Sequence, residues 1–550
     1  MHETKSLKPP AETIEQLPSS LQKVARALEK DRYLKPADMR RIVLQAGVQV
    51  DDLLPWADFD HPATDSYGRR LIYQGDNFEI MTMSWTPGDF STIHDHGYTQ
   101  WGCVQVFGPA EHATFRMDDQ SITTLARWQM KPGEAIGVHH DLLHQMGNAT
   151  DERFLSLHVY GEPEDIDNVT GDARILDLEH QEIQLVDGGV FFALPPEGVK
   201  KTLPAPPADF PTRLRHLVEL ARRLHKMDQA GQNSTGRTAE DILALIEAPE
   251  QRRSLLSCLR KHTDEHGHHT SSVFWRNLIW ELKEAAKLQN TLGQKQQTAD
   301  NFDRYAELYD AVIGQPCLDD FMANYLRFFG QEHRSWQDAS ILSLGVGTGL
   351  TEQFLQDELG VSKDHIYGID ISDAMVEVAR RRLQADQGDI LTLDPAVRTW
   401  DIAYSGLNVF HYLPYEHLSE AIERTAAVIN PGGYFVGDFI TPDHIRWYPN
   451  VLISEDEGIV SLRTPRLIEQ NGRMFQESEI VNIDFRGERM QVSYAGKHKR
   501  FLPPLHRVRL AFEQHFSEVK LYDAHSLQPI PEWADSCPST RYVVIAKMDS

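Results

Sequence analysis

Residues 341–355 read ILSLGVGTGLTEQFL, an apolar run that breaks into Gly345-x-Gly347-x-Gly349 and then takes on helical spacing. Glycines tighten such a turn and let backbone N–H groups approach a ligand closely. The next apolar run, HIYGIDIS, carries Asp370 at its end, 21 residues after Gly349. An acid there can accept both hydroxyls of a ribose. GDI follows at 388–390, which puts Asp389 where an adenine amine would lie, with Ile390 beside it. DIAYSGLNVFHYLP (401–414) and VINPGGYFVGDF (428–439) extend the alternation of strands and helices, the pattern of a parallel α/β sheet. A dinucleotide site expects G-x-G-x-x-G, and Leu350 stands where its last glycine would be, so NAD is the lesser alternative.

This order of segments resembles the class I S-adenosylmethionine-dependent methyltransferases over residues 300–440. The resemblance implies a Rossmann-like domain with S-adenosylmethionine held by Gly345, Gly347, Gly349, Asp370, Asp389 and Ile390. NFDRYAELYD (301–310) resembles the helix that closes over the cofactor in small-molecule members, with Tyr305 and Tyr309 as its candidates. Ser343 stands where many members carry an acid before the glycines. His411, after the fourth strand, reads equally as a general base or a rim residue, and Tyr412 reads as packing under the cofactor loop. Residues 441–503 are an inserted segment ahead of the last strand, RYVVIAK; within it, 480–501 has the pattern of an antiparallel hairpin that could cap a substrate pocket.

A different pattern runs from Leu71 to Tyr160. Short runs such as FEIMTMSW, WGCVQVFG and FLSLHVY are rich in β-branched and aromatic residues, with Gly, Pro, Asp and Asn between them, which predicts an all-β barrel or sandwich. PGDFSTIHDHGYTQWGCVQVFG places His94 and His96 two apart, on one face of a strand, so both imidazoles can enter one cavity. KPGEAIGVHHDLLHQMGNAT adds His139, His140 and His144, the last followed by Asn148 as H-x3-N.

Together these stretches resemble the two cupin motifs. The usual glutamate ligand after HxH is missing, since GYTQWGCVQV holds no carboxylate. A three-histidine site with open positions suits iron(II) binding a substrate and O₂ together. Three-His cupins resemble the thiol dioxygenases, of which cysteine dioxygenase is the best known, here over residues 60–165. That resemblance implies His94, His96 and His144 as iron ligands, Arg69 as a clamp for a substrate carboxylate, and Ser156, His158 and Tyr160 as a proton-controlling set on one strand face. Members that cross-link Cys to Tyr carry the Cys five residues after the second metal His. Trp101 occupies that position here, and Cys103 lies two residues on, facing the same way. His139 and His140 read as rim residues.

The remaining segments are helical or irregular. Residues 1–60 carry helical spacing. The Pro-rich stretch PPEGVKKTLPAPPADFP (195–211) reads as a linker that continues neither sheet nor helix. Amphipathic helices follow over 212–298, read as a connector or a lid on the methyltransferase; Leu214, Leu217, Val218, Ala221 and Leu224 share one face, and Thr238 with Asp241 has the form of a capping box. HTDEHGHHTSSVFW gathers His262, His266, His268 and His269, which reads as an exposed loop before a metal site.

Composition bounds what these segments can do. The chain has 550 residues, 41% hydrophobic and 25% charged, which fits several folded domains and excludes a disordered or low-complexity polymer. A net charge of −26 opposes non-specific binding to phosphate backbones, so no nucleic acid is expected. Four scattered cysteines without a CxxC fit a reducing cytoplasm. No apolar run is long enough to span a bilayer, and the first residues lack the pattern of a secretory signal, so a cytoplasmic protein is expected.

The domains expected are a cysteine dioxygenase-like cupin with N-terminal helices (1–194), a linker (195–211), a helical connector (212–298) and a class I methyltransferase domain (299–550). The function expected is bifunctional: iron(II)-dependent oxidation of a small thiol with O₂, joined to S-adenosylmethionine-dependent methylation of a small-molecule acceptor. The alternative is a methyltransferase regulated by a ligand-binding cupin.

Overall fold

The structure is a computed structural model, and it describes residues 8–166, 168–266, 273–293, 301–303, 306–447, 450–454, 456–534, 536–537 and 539–550. The chain divides into two compact units, one of residues 1–255 with 272–293 and the other of 256–271 with 294–550. Among the described residues no helix is long and apolar enough to cross a membrane.

The N-terminal unit is built on two antiparallel sheets. One has five strands in the order Gly68–Gln74, Phe78–Trp85, Phe154–Gly161, Trp101–Val106 and Ala135–Val138. The other has seven, in the order Lys201–Pro204, Glu182–Val186, Ala173–Asp177, Ile93–His94, His144–Gly147, Glu111–Met117 and Ile122–Gln129. Side chains from both sheets, among them Met81, Met83, Trp85, Met146 and Ile175, close a shared core. Alternation along each strand sends the other side chains outward. On the five-stranded sheet those include Ile80, Trp101 and Leu157, which pack with the helices Ser19–Leu28 and Pro36–Ala46.

The Pro-rich stretch departs from its expected form, because Lys201–Pro204 pairs with Glu182–Val186. The strand lies at the sheet edge, where a residue without an N–H breaks no ladder. The helices that follow, Phe210–Gln229, Ala239–Glu247 and Val273–Leu292, belong to this N-terminal unit. Thr238 and Asp241 close the capping box that starts Ala239–Glu247.

The C-terminal unit is a seven-stranded sheet in the order Gln384–Gln387, Ile366–Asp370, Ile341–Leu344, Trp400–Ser405, Ile429–Ile440, Arg541–Lys547 and Glu518–Asp523. Its first five strands are parallel, and Arg541–Lys547 runs antiparallel to both neighbours. The first strand in sequence, Ile341–Leu344, therefore lies at the centre. On one side the chain continues to Ile366–Asp370 and on the other it has crossed to Trp400–Ser405. A crevice opens at such a reversal of strand order. The inserted segment forms a second sheet, in which Arg473–Asp484 and Gln491–Phe501 make the expected hairpin.

Candidate functional sites

In the C-terminal unit, the turn after Ile341–Leu344 opens onto a cavity of about 450 Å³. Gly345 and Gly347 have φ of 66° and 54°, a region that costs a side chain dearly. A Cβ on Gly345 would also lie 2.5 Å from Val409 Cγ2, whereas the space above Gly347 is open. Asp370 grips the turn, accepting from Gly347 N–H and Ser372 N–H, each at 2.9 Å. Asp389 accepts from Leu391 N–H at 2.9 Å and so caps the short turn Ile390–Thr392. Gly345, Gly347, Thr348, Asp370, Asp389, Ile390 and Leu391 line the cavity; Gly349 does not, and a Cβ there would lie 2.6 Å from Leu383 Cδ2, so its place is in the packing behind the turn.

Tyr309 lines it too, at the start of a helical stretch with two π-turns, Asp310–Gly314 and Leu318–Met322. π-Turns widen a helix locally and concentrate at functional sites. Asp310 ties this stretch to the glycine turn, accepting from Thr348 Oγ1 and from Arg382 Nη2 at 2.7 Å. Tyr305 lies outside the described residues.

His411 is corrected by its surroundings. Its Nδ1 hydrogen-bonds the Phe501 carbonyl at 2.6 Å, and its Nε2 accepts from Ile440 N–H at 3.0 Å. With both nitrogens engaged and burial holding its pKa down to about 3, it has no free lone pair for a substrate proton, and it does not line the cavity. Tyr412 lines the cavity and accepts from Arg500 Nε at 2.8 Å.

Three buried residues that the sequence reading missed also line the cavity: His444 and Arg500 from the inserted segment, and Arg541 from the antiparallel strand. Arg541 Nη2 meets His444 Nε2 at 3.2 Å, and Arg541 also pairs with buried Asp438 and donates to Asn408 Oδ1 at 3.1 Å. The backbone N–H groups of Leu407 and Asn408 hydrogen-bond Asp438. Those two residues have φ of 53° and 56°, so this carboxylate and guanidinium hold a strained turn at the cavity wall.

In the N-terminal unit, His94, His96 and His144 are all buried, and one nitrogen from each lies within 4.8 Å of the others. His94 and His144 are paired across neighbouring strands. His94 Nδ1 donates to the Thr92 carbonyl at 2.8 Å, which leaves Nε2 its lone pair. His144 Nε2 and His96 Nε2 face each other at 3.1 Å. On its other side, His144 Nδ1 meets His112 Nε2 at 2.7 Å, a fourth buried histidine that the sequence reading did not single out. Burial lowers the pKa of His94 to about 4 and those of His96 and His144 well below the usual value, so the cluster is neutral near pH 7. Neutral convergent imidazoles are the donor set for a divalent transition metal.

Ser156, His158 and Tyr160 stand on the inner face of one strand in a continuous chain, Ser156 Oγ to His158 Nε2 at 2.8 Å and His158 Nδ1 to Tyr160 OH at 2.8 Å. Trp85 Nε1, a donor only, gives to Ser156 Oγ at 2.8 Å, which leaves the Ser156 O–H to donate to His158. Ser156 then donates to His158, and His158 to the Tyr160 oxygen, so the Tyr160 O–H is left to donate elsewhere. The Tyr160 ring lies 5.2 Å from that of His96.

Arg69 hydrogen-bonds Thr170 Oγ1 at 3.2 Å and lies 3.9 Å from Glu79, which is paired with Tyr160 across the ladder. Cys103 packs with Trp101 in the core on the opposite side of the sheet, and Gly102 is the residue opposite Tyr160. A Cβ there would come within 2.8 Å of Tyr160 Cδ1, so no thiol lies beside that phenol. His139, half-buried, and His140 and Asp141, exposed, form a second close group. His262 is buried in the helix Pro249–His266, whereas His268, His269 and the side chain of His266 lie outside the described residues.

Residues 341–433 match the family model of a methyltransferase domain. Among solved structures, the chain is similar to an S-adenosylmethionine-dependent methyltransferase from Clostridium acetobutylicum, at 14% identity over 45% of this chain and 99% of that one, with a TM-score of 0.36. It is likewise similar to the CcbJ methyltransferase from Streptomyces caelestis, at 15% identity over 46% and 100% with a TM-score of 0.36. The sugar N-methyltransferase KedS8 from Streptoalloteichus follows, at 16% identity over 47% and 92% with a TM-score of 0.32. The glycine turn, the acid-tipped second strand and the family match fall on the same residues, and the C-terminal unit carries a methyltransferase domain over residues 341–433.

Proposed function

We propose that this chain is a bifunctional cytoplasmic enzyme of small-molecule metabolism. In this reading the C-terminal unit methylates a small acceptor from S-adenosylmethionine, and the N-terminal unit, a cupin resembling cysteine dioxygenase, oxidises a small thiol with O₂, cysteine being the first candidate.

The methyl-transfer half is supported by the cavity at the crossover of strand order, which lies on the residues matched by the family. S-adenosylmethionine supplies an electrophilic methyl group. Gly345 and Gly347 let it approach the backbone, with Gly349 packed behind the turn, Asp370 accepts its ribose hydroxyls, Asp389 its adenine amine, and Ile390 and Tyr309 flank it. Tyr305 keeps its sequence-based assignment beside Tyr309. The acceptor enters between the cofactor and the wall made by His444, Arg500 and Arg541. The Arg500 guanidinium on that wall suits an acceptor with an anionic group, Arg541 being paired with Asp438.

The observation that carries the thiol half is the convergence of three neutral imidazoles beside a directed Trp85–Ser156–His158–Tyr160 chain. The donor set fits iron(II), which His94, His96 and His144 would hold and which supplies a Lewis-acid centre for thiol and O₂. Arg69 holds the substrate carboxylate. Tyr160 presents its O–H toward the site, and His158 and Ser156 keep it in that orientation. The overall change balances as thiol plus O₂ giving the sulfinic acid. The methylated compound is then this product or a neighbour in its pathway.

Oxygen uptake by the iron(II)-loaded protein with L-cysteine, with product mass recorded, tests the thiol half. A gain of two oxygens is expected. Replacing His94 by Ala should abolish iron binding and uptake and spare S-adenosylmethionine binding; loss of both would overturn the two-site reading. Absence of uptake by the iron-loaded protein with any small thiol would favour the regulatory cupin instead.

A further inference from the structure

Glu352 is a buried carboxylate on the wall of the methyltransferase cavity. It lies in the first turn of the helix Leu350–Leu359, directly after the glycine turn, and is 1% exposed. Its Oε1 accepts from Ser343 Oγ at 2.6 Å. Ser343 is the penultimate residue of the strand Ile341–Leu344, at the position where many class I methyltransferases carry an acid. A carboxylate therefore stands at that place after all, delivered by the helix instead of the strand.

The charges facing Glu352 do not neutralise it. Among the described residues, no Lys, Arg or His lies within ion-pair distance of its carboxylate. Arg382, the cation that acts on it, is committed to Asp310 Oδ2 at 2.7 Å and to the Thr348 carbonyl at 2.8 Å. Asp370, at the tip of the neighbouring strand, repels it, and Tyr404 on the far side is a buried neutral phenol. Burial with so little compensation pushes its pKa up to about 7. An uncompensated carboxylate in a buried wall costs far more than a paired one, and Glu352 lines a cavity from which a cation can reach it.

We propose that Glu352 is a cation-binding residue of the cofactor site, and that it takes the α-ammonium of the methionine half of S-adenosylmethionine, with Ser343 fixing the carboxylate. This rests on the methyltransferase reading above. A proton and the ammonium then compete for one carboxylate, so cofactor binding tightens as pH rises through about 7 and weakens below it, where Glu352 is protonated. Glu352→Gln keeps the shape and the hydrogen bond to Ser343 and removes only the charge.

Calorimetric titration of the full chain with three probes separates the outcomes. S-adenosylmethionine has both the ammonium and the sulfonium, S-adenosylhomocysteine has the ammonium alone, and 5′-methylthioadenosine has neither. At pH 8, Glu352→Gln should weaken the first two by about tenfold, the loss expected for one charged partner, and leave the third within twofold. Lowering the pH to 6 should narrow the gap between wild type and variant. Equal affinities of wild type and variant for all three probes would overturn the proposal and leave the methyltransferase reading standing. Weakening of S-adenosylmethionine alone would assign the carboxylate to the sulfonium, and weakening of all three would make Glu352 a support of the glycine turn; either overturns the ammonium assignment. Failure of the wild type to bind any probe would instead sink the methyltransferase reading itself. The melting temperature of the ligand-free variant, expected to match or exceed that of wild type, guards against misfolding.

Discussion

His112 shows what a single residue contributes that a motif does not record. It sits in the strand Glu111–Met117, meets His144 Nδ1 at 2.7 Å, and packs against Trp128. A ligand imidazole held through its far nitrogen is fixed in tautomer and orientation, and loss of such a partner costs roughly 10–100-fold in metal affinity. His112→Phe should therefore lower iron(II) affinity by that factor while the fold survives, as read by metal titration and circular dichroism. SxHxY was legible because its spacing places all three residues on one face of the strand Phe154–Gly161, and HxH and H-x3-N because their residue types and spacing mark them, although the strands end at His94 and Gly147. His112 was not, because a lone histidine in a strand looks like any core residue until its neighbour strand is known. Ser343 was noticed as a departure, but its partner Glu352 was hidden for the same reason, the contact joining a strand to a helix. His411 differed in the opposite direction: its position after the fourth strand left a general base and a rim residue equally open, yet its two ring nitrogens serve the Phe501 and Ile440 backbone. His411→Phe should cost about 1–3 kcal/mol of stability, the price of orphaning buried backbone groups, and leave the pH profile of cofactor binding unchanged.

Elements carry information that the chain's own periodicity does not. The face Leu214–Leu217–Val218–Ala221–Leu224 correctly announces an amphipathic helix, since all five residues are buried in Phe210–Gln229. It does not say which surface that helix covers. The fastening is polar: Asp89, fully buried, accepts from Arg223 Nη2 at 2.9 Å and Lys226 Nζ at 2.6 Å, and from Thr86 N–H at 2.7 Å. These pairs join residues more than a hundred positions apart, beyond the reach of any local pattern. Asp89→Asn would leave a buried guanidinium without its counter-charge, which typically costs 3–5 kcal/mol, so chemical denaturation should show the N-terminal unit destabilised by about that amount. The Pro-rich stretch was misread on the same scale. Proline excludes a central strand but not an edge, and edge position belongs to the sheet, not to the segment. In the C-terminal unit the inner parallel strands Ile341–Leu344, Ile366–Asp370, Trp400–Ser405 and Ile429–Ile440 were readable, each a short apolar run bounded by a turn and a helix, whereas the edge strands Gln384–Gln387 and Glu518–Asp523 were not.

For the whole molecule, each candidate site is built from one unit. Every histidine of the N-terminal cluster lies within residues 94–158, and every described residue lining the methyltransferase cavity lies within 302–541. A ligand that binds only the folded form stabilises by RT ln(1 + [L]/Kd), about 2.7 kcal/mol at a hundredfold excess over Kd. Iron(II) should then raise the thermal transition of the N-terminal unit, and S-adenosylhomocysteine that of the C-terminal unit, each leaving the other within experimental error. Acidification marks which transition is which. The folded pKa values of His94, His112 and His158 lie at about 4, 3 and 3, below the ordinary 6.5. Between those values the unfolded chain binds protons that the folded one refuses, so this stability is present above pH 6.5 and is lost as pH falls toward 3. The C-terminal unit carries the same liability at His411, at about 3, and at His444, but with fewer such groups than the histidine cluster. Calorimetry of the ligand-free protein between pH 7 and pH 4 should show the iron-responsive transition descending faster, and iron(II), by occupying the lone pairs that protons would take, should flatten that descent. One transition moving with both ligands, or equal descent of the two, would mean that the sites are not the property of separate units.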